Sequence, residues 1–131
     1  MENLRIGKKG LVPDLVPILT ERRIHPRIPL RLPTEYFPAG TTKGRICHTI
    51  NISESGILLC LPEKIKTGQT LRIEVFYYFD YELASFEALG EVVWFERFED
   101  SDRESRCALE FMDLSLDDLE KLKRFLRKIF Y

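Results

Sequence analysis

A basic segment near the start of the chain carries side chains suited to binding an anion. Arg22 and Arg23 precede Arg27, and Arg31 follows four residues later. Pro26 disfavours helical geometry at the residue before it, so the segment is expected to be extended or turning, and Arg23 and Arg27 can then converge on one ligand. A guanidinium is a planar fork that fits phosphate oxygens and the O6/N7 edge of guanine. The segment is a candidate nucleotide contact, with a solvated basic turn as the alternative.

A polar cluster in the middle of the chain is the second candidate contact. Asn51 and Ser53 are two residues apart and would face the same side of a strand, where they present a carboxamide and a hydroxyl. Gly56 follows and allows a close approach that a side chain would block. Because Asn, Ser and Gly are also usual turn residues, a plain polar turn is the alternative.

The charge distribution limits the classes of partner. The formal net charge is −1, which argues against the broad basic surface that duplex DNA or bulk RNA requires. Residues 1–45 hold nine Lys/Arg and four Asp/Glu, whereas residues 46–131 hold eleven and seventeen. A small anionic ligand fits this local asymmetry better than DNA does.

Cysteine usage and hydropathy indicate a cytoplasmic protein. Cys47, Cys60 and Cys107 have no C-x-x-C spacing and cannot all pair within one chain, which favours a reducing compartment and no metal site. The apolar residues 10–19 are interrupted by two prolines and an aspartate, and a membrane span needs about 20 apolar residues. We therefore expect no membrane span and no secretory signal.

The chain beyond residue 27 has the pattern of a β-rich domain. Residues 71–79 alternate between apolar and more polar positions, and residues 45–52 place Ile46, His48, Ile50 and Ile52 on one face. Further apolar runs and the turn-rich joints between them bring the total to five or six strands. This pattern predicts an antiparallel barrel over residues of about 28–114.

The two ends of the chain differ from this β-rich part. Ser115 and Asp118 resemble a capping box, and leucines recur at helical spacing behind them, which predicts a helix at about 116–130. Residues 1–20 read as a leader that either docks on the body or is partly disordered. The predicted domain is therefore 21–131.

In this order and spacing, the two polar segments resemble the signature of the PilZ domain family. That signature is Arg-x-x-x-Arg followed later by Asp/Asn-x-Ser-x-x-Gly. Arg23 and Arg27 match its first half, and Asn51, Ser53 and Gly56 match its second.

The resemblance extends over roughly residues 21–126. The segment from Gly90 to Trp94 looks like the family's Gly-x-Val-x-Trp strand, and Cys107 to Phe111 looks like its last strand before a helix. One departure is that the usual glycine before the core of that last strand is absent. This position is structural, so the departure leaves the expected binding in place.

The resemblance implies a mainly all-β fold, a six-stranded antiparallel PilZ-type barrel with a C-terminal helix. It also implies binding of cyclic di-GMP, with the arginines on guanine and phosphate and the second motif on the other side of the ligand. In the family, the residue before the first signature arginine is thought to tune ligand number, and arginine there leans toward two molecules per chain. The expected ligand contacts are Arg22, Arg23, Arg27, Asn51, Ser53 and Gly56, with no cofactor.

These features favour a binding module over an enzyme. Neither histidine lies in a defensible arrangement with a nucleophile or carboxylate, and no Gly-rich phosphate loop is present. We expect a receptor that orders its arginine segment on binding and signals to a partner protein. The alternatives are a PilZ-like interaction module without ligand and a small RNA-binding barrel, and a homodimer is compatible with each.

Overall fold

The structure, a computed structural model, describes residues 26–97 and 104–130, apart from the side chain of Phe130. Strands occupy most of these ranges, and a helix follows them. The elements are β1 (Ile28–Pro29), β2 (Pro33–Pro38), β3 (Arg45–Ile52), β4 (Gly56–Leu61), β5 (Thr70–Phe79), β6 (Glu82–Arg97), β7 (Ser105–Asp113) and α1 (Leu116–Phe130).

The strands form one closed sheet. Its order is β1-β3-β2-β5-β6-β7-β4, and an additional pairing of β3 with β4 closes the ring. All neighbouring strands are antiparallel. Strands β2 to β7 therefore make a six-stranded barrel, and β1 is an extra strand on β3. The predicted fold class is confirmed.

The barrel interior follows from the alternation of side chains along the strands. In β5 the side chains of Leu71, Ile73 and Val75 are fully buried, as the period-two pattern predicts. In β3 a register shift between Thr49 and Asn51 breaks the alternation. The grouping of four β3 residues on one face was therefore wrong.

The shift in β3 changes which side chains reach the interior. Cys47, Thr49 and Ile52 are buried, whereas Ile46 is 69% exposed on the outer face. A β-bulge adds a residue to one strand of a pair and so moves all later side chains to the opposite face. Asn51 thereby comes to lie beside the buried Ile52 and close to the outer surface.

The helix begins with the predicted capping pair. The backbone N–H of Asp118 donates to Ser115 Oγ at 3.0 Å, and that hydroxyl donates to Asp118 Oδ2 at 2.7 Å. On the inner side of the helix, Leu122 is fully buried and the Phe125 ring lies 4.4 Å from that of Tyr77. Helix α1 thus packs against the part of the β5–β6 hairpin that extends past the barrel. Within the described residues, no helix is long and apolar enough to cross a bilayer.

A polar network that runs from the buried Tyr36 to the exposed Arg45 fixes the loop after β4. Glu63 accepts hydrogen bonds from the Tyr36 hydroxyl and from the Arg45 guanidinium through the same carboxylate oxygen. Its backbone carbonyl accepts from Ser105 Oγ at 2.6 Å. Burial raises the pKa of the Tyr36 phenol, and the Glu63 carboxylate raises it further, so Tyr36 stays a donor. The network ties the segment after Pro62 to the start of β7.

The three thiols differ in access to solvent. Cys47 and Cys107 are buried inside the barrel, and Cys60 is half-buried on its outer side. Burial raises the pKa of Cys107 from 9.0 to about 12. A group whose pKa is raised by folding contributes to stability at pH values below its pKa in the unfolded state. This contribution is lost as the pH rises toward the pKa in the folded state. Cys107 is therefore a neutral core side chain throughout the physiological pH range.

Candidate functional site

The segment that follows Arg27 is hydrogen-bonded along β3. Thr49, whose side chain is fully buried, uses its hydroxyl as the link: Oγ1 accepts from the backbone N–H of Leu32 at 2.9 Å and donates to the carbonyl of Leu30. The backbone N–H of Leu30 also donates to the carbonyl of Ile50 at 3.0 Å. These bonds span the bulge in β3 and hold Arg27 at the end of that strand.

Arg27 contacts the second polar motif directly. Its Nη1 donates a hydrogen bond to Asn51 Oδ1 at 3.1 Å, and the two residues are 24 positions apart in the chain. Since a guanidinium can only donate, the bond fixes which end of the Asn51 amide faces Arg27. The amide NH₂ of Asn51 is thereby turned away from Arg27, with its N–H groups as donors. The structure thus brings together one residue from each half of the two-part motif.

Ser53 lies inside the β3–β4 hairpin. Its side chain is buried, and Oγ accepts from the backbone N–H groups of Ser55 and Gly56, each at 3.2 Å. The backbone N–H of Ser53 donates to the Gly56 carbonyl at 2.9 Å. The hydroxyl is therefore engaged in shaping the turn, which is the role that the polar-turn alternative gives to this residue type.

Gly56 lies where β4 passes very close to β7. A Cβ atom at this position would lie 2.5 Å from the carbonyl oxygen of Leu109. Gly90 approaches the same residue from β6, and its Cβ would lie 2.5 Å from Leu109 Cγ. The sequence predicted a close approach at Gly56, and in the structure the neighbour is the barrel wall.

The outer face beside Asn51 is partly apolar, which sequence reasoning missed. Asn51 pairs with Leu58, Leu58 with Ala108, and Ala108 with Trp94, across four adjacent strands. All four residues are half-buried. The sequence carried a signal for this outer apolar face, since Leu58 and Ala108 alternate with the core positions of their strands. The strip from Asn51 to Trp94 could support the flat face of a ligand.

Arg22 and Arg23 lie outside the described residues. Their contribution to the site therefore stays a prediction. Among the residues that the structure describes, no three His, Cys, Asp or Glu side chains are grouped in a way that could hold a metal ion.

The Thr49 hydroxyl gives a test of how the site is positioned. Replacing Thr49 by valine keeps the shape but leaves the N–H of Leu32 and the carbonyl of Leu30 without that partner, so we expect a loss of about 1–2 kcal/mol in unfolding free energy. Urea unfolding measures it. Thr49→Ser keeps the hydroxyl and is the matched control, expected to lose clearly less. Equal losses in the two variants would show that the hydroxyl does not hold the segment.

The closed barrel with its terminal helix places the chain among small β-barrel domains. The family model described as "PilZ domain" matches residues 21–128, and the chain therefore belongs to the PilZ domain family. This confirms the resemblance seen in the sequence. No curated protein sequence matches the chain.

Solved structures share the fold at low identity. The Bacillus subtilis inhibitor of motility MotI/DgrA is 19% identical with a TM-score of 0.69, and the match covers 82% of this chain and 51% of that one. The PilZ domain of Escherichia coli YcgR with c-di-GMP is 15% identical, TM-score 0.58, covering 82% of this chain and 91% of that one. The MrkH–c-di-GMP complex of K. pneumonia is 16% identical, TM-score 0.61, covering 84% and 53%. The chain thus spans about half the length of MotI/DgrA and MrkH.

Proposed function

We propose that this chain is a cyclic di-GMP receptor domain. The observation that carries the proposal is the hydrogen bond from Arg27 to Asn51, which joins the two halves of the family's signature at one place on the barrel. Membership of the PilZ family supports it, as do the two similar structures that were solved with c-di-GMP. We call Arg27, Asn51 and the hairpin turn from Ser53 to Gly56 the clamp.

Each part of the clamp has a distinct task in this proposal. Arg27, with Arg23, donates to phosphate oxygens and to the O6/N7 edge of guanine, because a guanidinium fits both. Asn51 donates its amide N–H groups to a further acceptor on the ligand. Ser53 and Gly56 act by position, since one closes the turn and the other lets it lie against β7.

Binding is proposed to order the arginine segment and to change a surface that a partner protein contacts. The ligand's phosphates offset the mutual repulsion of neighbouring guanidinium groups, which favours the arrangement in which they converge. Amide exchange over residues 20–30 should therefore slow when cyclic di-GMP is added. The same exchange rate with and without ligand would remove the ordering step from the proposal.

Calorimetric titration of the purified chain with cyclic di-GMP tests the proposal. We expect saturable heat, because charge-assisted hydrogen bonds form between the guanidinium groups and the ligand. GTP and an RNA oligomer of random sequence are the controls and should give no comparable binding. Absence of heat with cyclic di-GMP well above micromolar concentration would refute the receptor function, and preferential RNA binding would favour the RNA-binding alternative.

The stoichiometry of the same titration tests the role of Arg22. A self-stacked pair of cyclic di-GMP molecules doubles the phosphates and guanine edges to be satisfied, and a third guanidinium suits that load. We propose two molecules per chain, with Arg22 contacting the second. Arg22→Leu should lower the ratio from two toward one. A ratio of one in both proteins would contradict it.

A further inference from the structure

A groove lies on the outer face of the barrel beside the clamp. Its volume is about 440 Å³, within the range of small-molecule sites. His48 is one of its lining residues and is paired with Pro33 of β2 on one side and with Cys60 of β4 on the other. Asn51 follows His48 by three residues on the same strand, a span of about 10 Å. Groove and clamp are therefore neighbours on one strand.

The groove combines apolar walls with opposite charges at its rim. Pro33, Ile46 and Pro62 are among the lining residues, together with Arg31 and Glu104. Both charged residues are exposed, and among the described residues neither forms an ion pair.

Both charges also act on the thiol that lines the groove. Burial raises the pKa of Cys60, the Glu104 carboxylate raises it further, and the Arg31 guanidinium lowers it. A negative and a positive group therefore both lie near the Cys60 thiol in the groove.

The groove is held in shape by the network around Glu63. Glu63 follows Pro62, and Ser105 follows Glu104, so the 2.6 Å hydrogen bond from Ser105 Oγ to the Glu63 carbonyl joins two parts of the lining. The hydrogen bonds from Tyr36 and Arg45 fix the Glu63 carboxylate as well. Preformed geometry lowers the entropic cost of binding.

This arrangement fits a guanine base. Guanine is flat, with N–H donors at N1 and N2 on one edge and acceptors at O6 and N7 on another. A carboxylate accepts two hydrogen bonds and a guanidinium donates two in a fork, so Glu104 has the chemistry for the first edge and Arg31 has the chemistry for the second. Adenine has an acceptor at N1, which a carboxylate would repel. The prolines and Ile46 offer apolar surface to the faces of the ring.

We propose that the groove is a guanine-binding subsite, with Glu104 accepting from N1–H and N2–H and Arg31 donating to O6 and N7. The subsite deepens the proposed function. It rests on that function only for the identity of the molecule that carries the guanine base. That base belongs either to the cyclic di-GMP molecule held at the clamp or to a second one.

Replacing Glu104 by glutamine tests the subsite in the full chain. The amide keeps the size but exchanges one acceptor for a donor, so cyclic di-GMP affinity should fall about tenfold. Glu82→Gln removes the same charge at the exposed start of β6 and should bind like the wild type. If the base belongs to the clamped molecule, the stoichiometry stays the same; if it belongs to a second molecule, the ratio falls by one. Unchanged affinity and stoichiometry would overturn the subsite and leave the receptor function standing.

A second measurement does not depend on cyclic di-GMP. In NMR titrations, 5′-GMP should shift the resonances of the His48 ring and the Ile46 methyl groups saturably, and 5′-AMP should not. Glu104→Gln should remove the difference between the nucleotides. Equal shifts with both, or none, would overturn the subsite. If the wild type responds to 5′-GMP but gives no heat with cyclic di-GMP, the receptor function fails and the guanine site stands.

Discussion

Replacing Arg27 by alanine is expected to weaken cyclic di-GMP binding at least tenfold while leaving the barrel folded. The side chain would lose its bonds to the ligand, each of which contributes about 1.5–3 kcal/mol when one partner is charged. It would also release Asn51, whose amide Arg27 orients through the 3.1 Å hydrogen bond. The residue precedes β1 and is outside the alternating core strands, so the melting temperature should change little. Calorimetry and thermal unfolding measure the two effects.

Three further variants separate charge from geometry. Arg27→Lys keeps the charge but not the planar fork, so an intermediate loss is expected. Arg127→Ala removes an exposed arginine from the last turn of α1 and should leave binding unchanged. In a double-mutant cycle with Asn51→Ala, the losses should be less than additive because the two side chains act together. Binding by Arg27→Ala within twofold of the wild type would contradict the clamp.

Replacing Gly56 by alanine is expected to be the most destabilising small change at the site. The new Cβ would lie 2.5 Å from the Leu109 carbonyl oxygen, and neither backbone can rotate away as a side chain could. Overpacking of this kind costs about 3 kcal/mol at the upper end of its usual range. Urea unfolding should show the loss, and cyclic di-GMP affinity should fall as well because the turn moves with β4.

Gly44→Ala is the matched control for that change. The three atoms nearest to its Cβ would all belong to the side chain of Glu35, which can move aside. Its unfolding free energy should therefore stay close to that of the wild type. A Gly56→Ala protein as stable as Gly44→Ala would show that β4 and β7 can separate without cost, and the positional role of Gly56 would be wrong.

The parts of the fold set by local pattern could be predicted from the sequence. The alternation in β5 and the Ser115–Asp118 cap each depend on residues close together in the chain, and both are present. The family signature indicated the correct fold because it combines short local motifs in a fixed order. It implied that the arginines and Asn51 lie on two sides of one ligand, and in the structure Arg27 contacts Asn51 directly.

The features that escaped prediction depend on contacts between distant strands. The bulge after Thr49 is a property of the pairing of β3 with β4, and no local pattern marks it. Trp94 pairs with Ala108 on the outer face because a second register shift occurs between β6 and β7. The inward position of Ser53 likewise follows from the hairpin that it closes.

The contact between helix α1 and strand β6 limits the association of one molecule with another. Among the residues that the structure describes, pairing of β6 with β7 stops at Leu89, so the earlier residues of β6 have a strand neighbour, β5, on one side and form a sheet edge on the other. Such an edge is a template on which the strand of another chain can assemble. Here the backbone N–H of Glu87 donates to Asp118 Oδ1 at 3.1 Å, and the same carboxylate belongs to the helix cap. The Asp118 side chain therefore both caps the start of the helix and covers this edge of β6. When α1 detaches, the chain loses this protection against edge-to-edge aggregation.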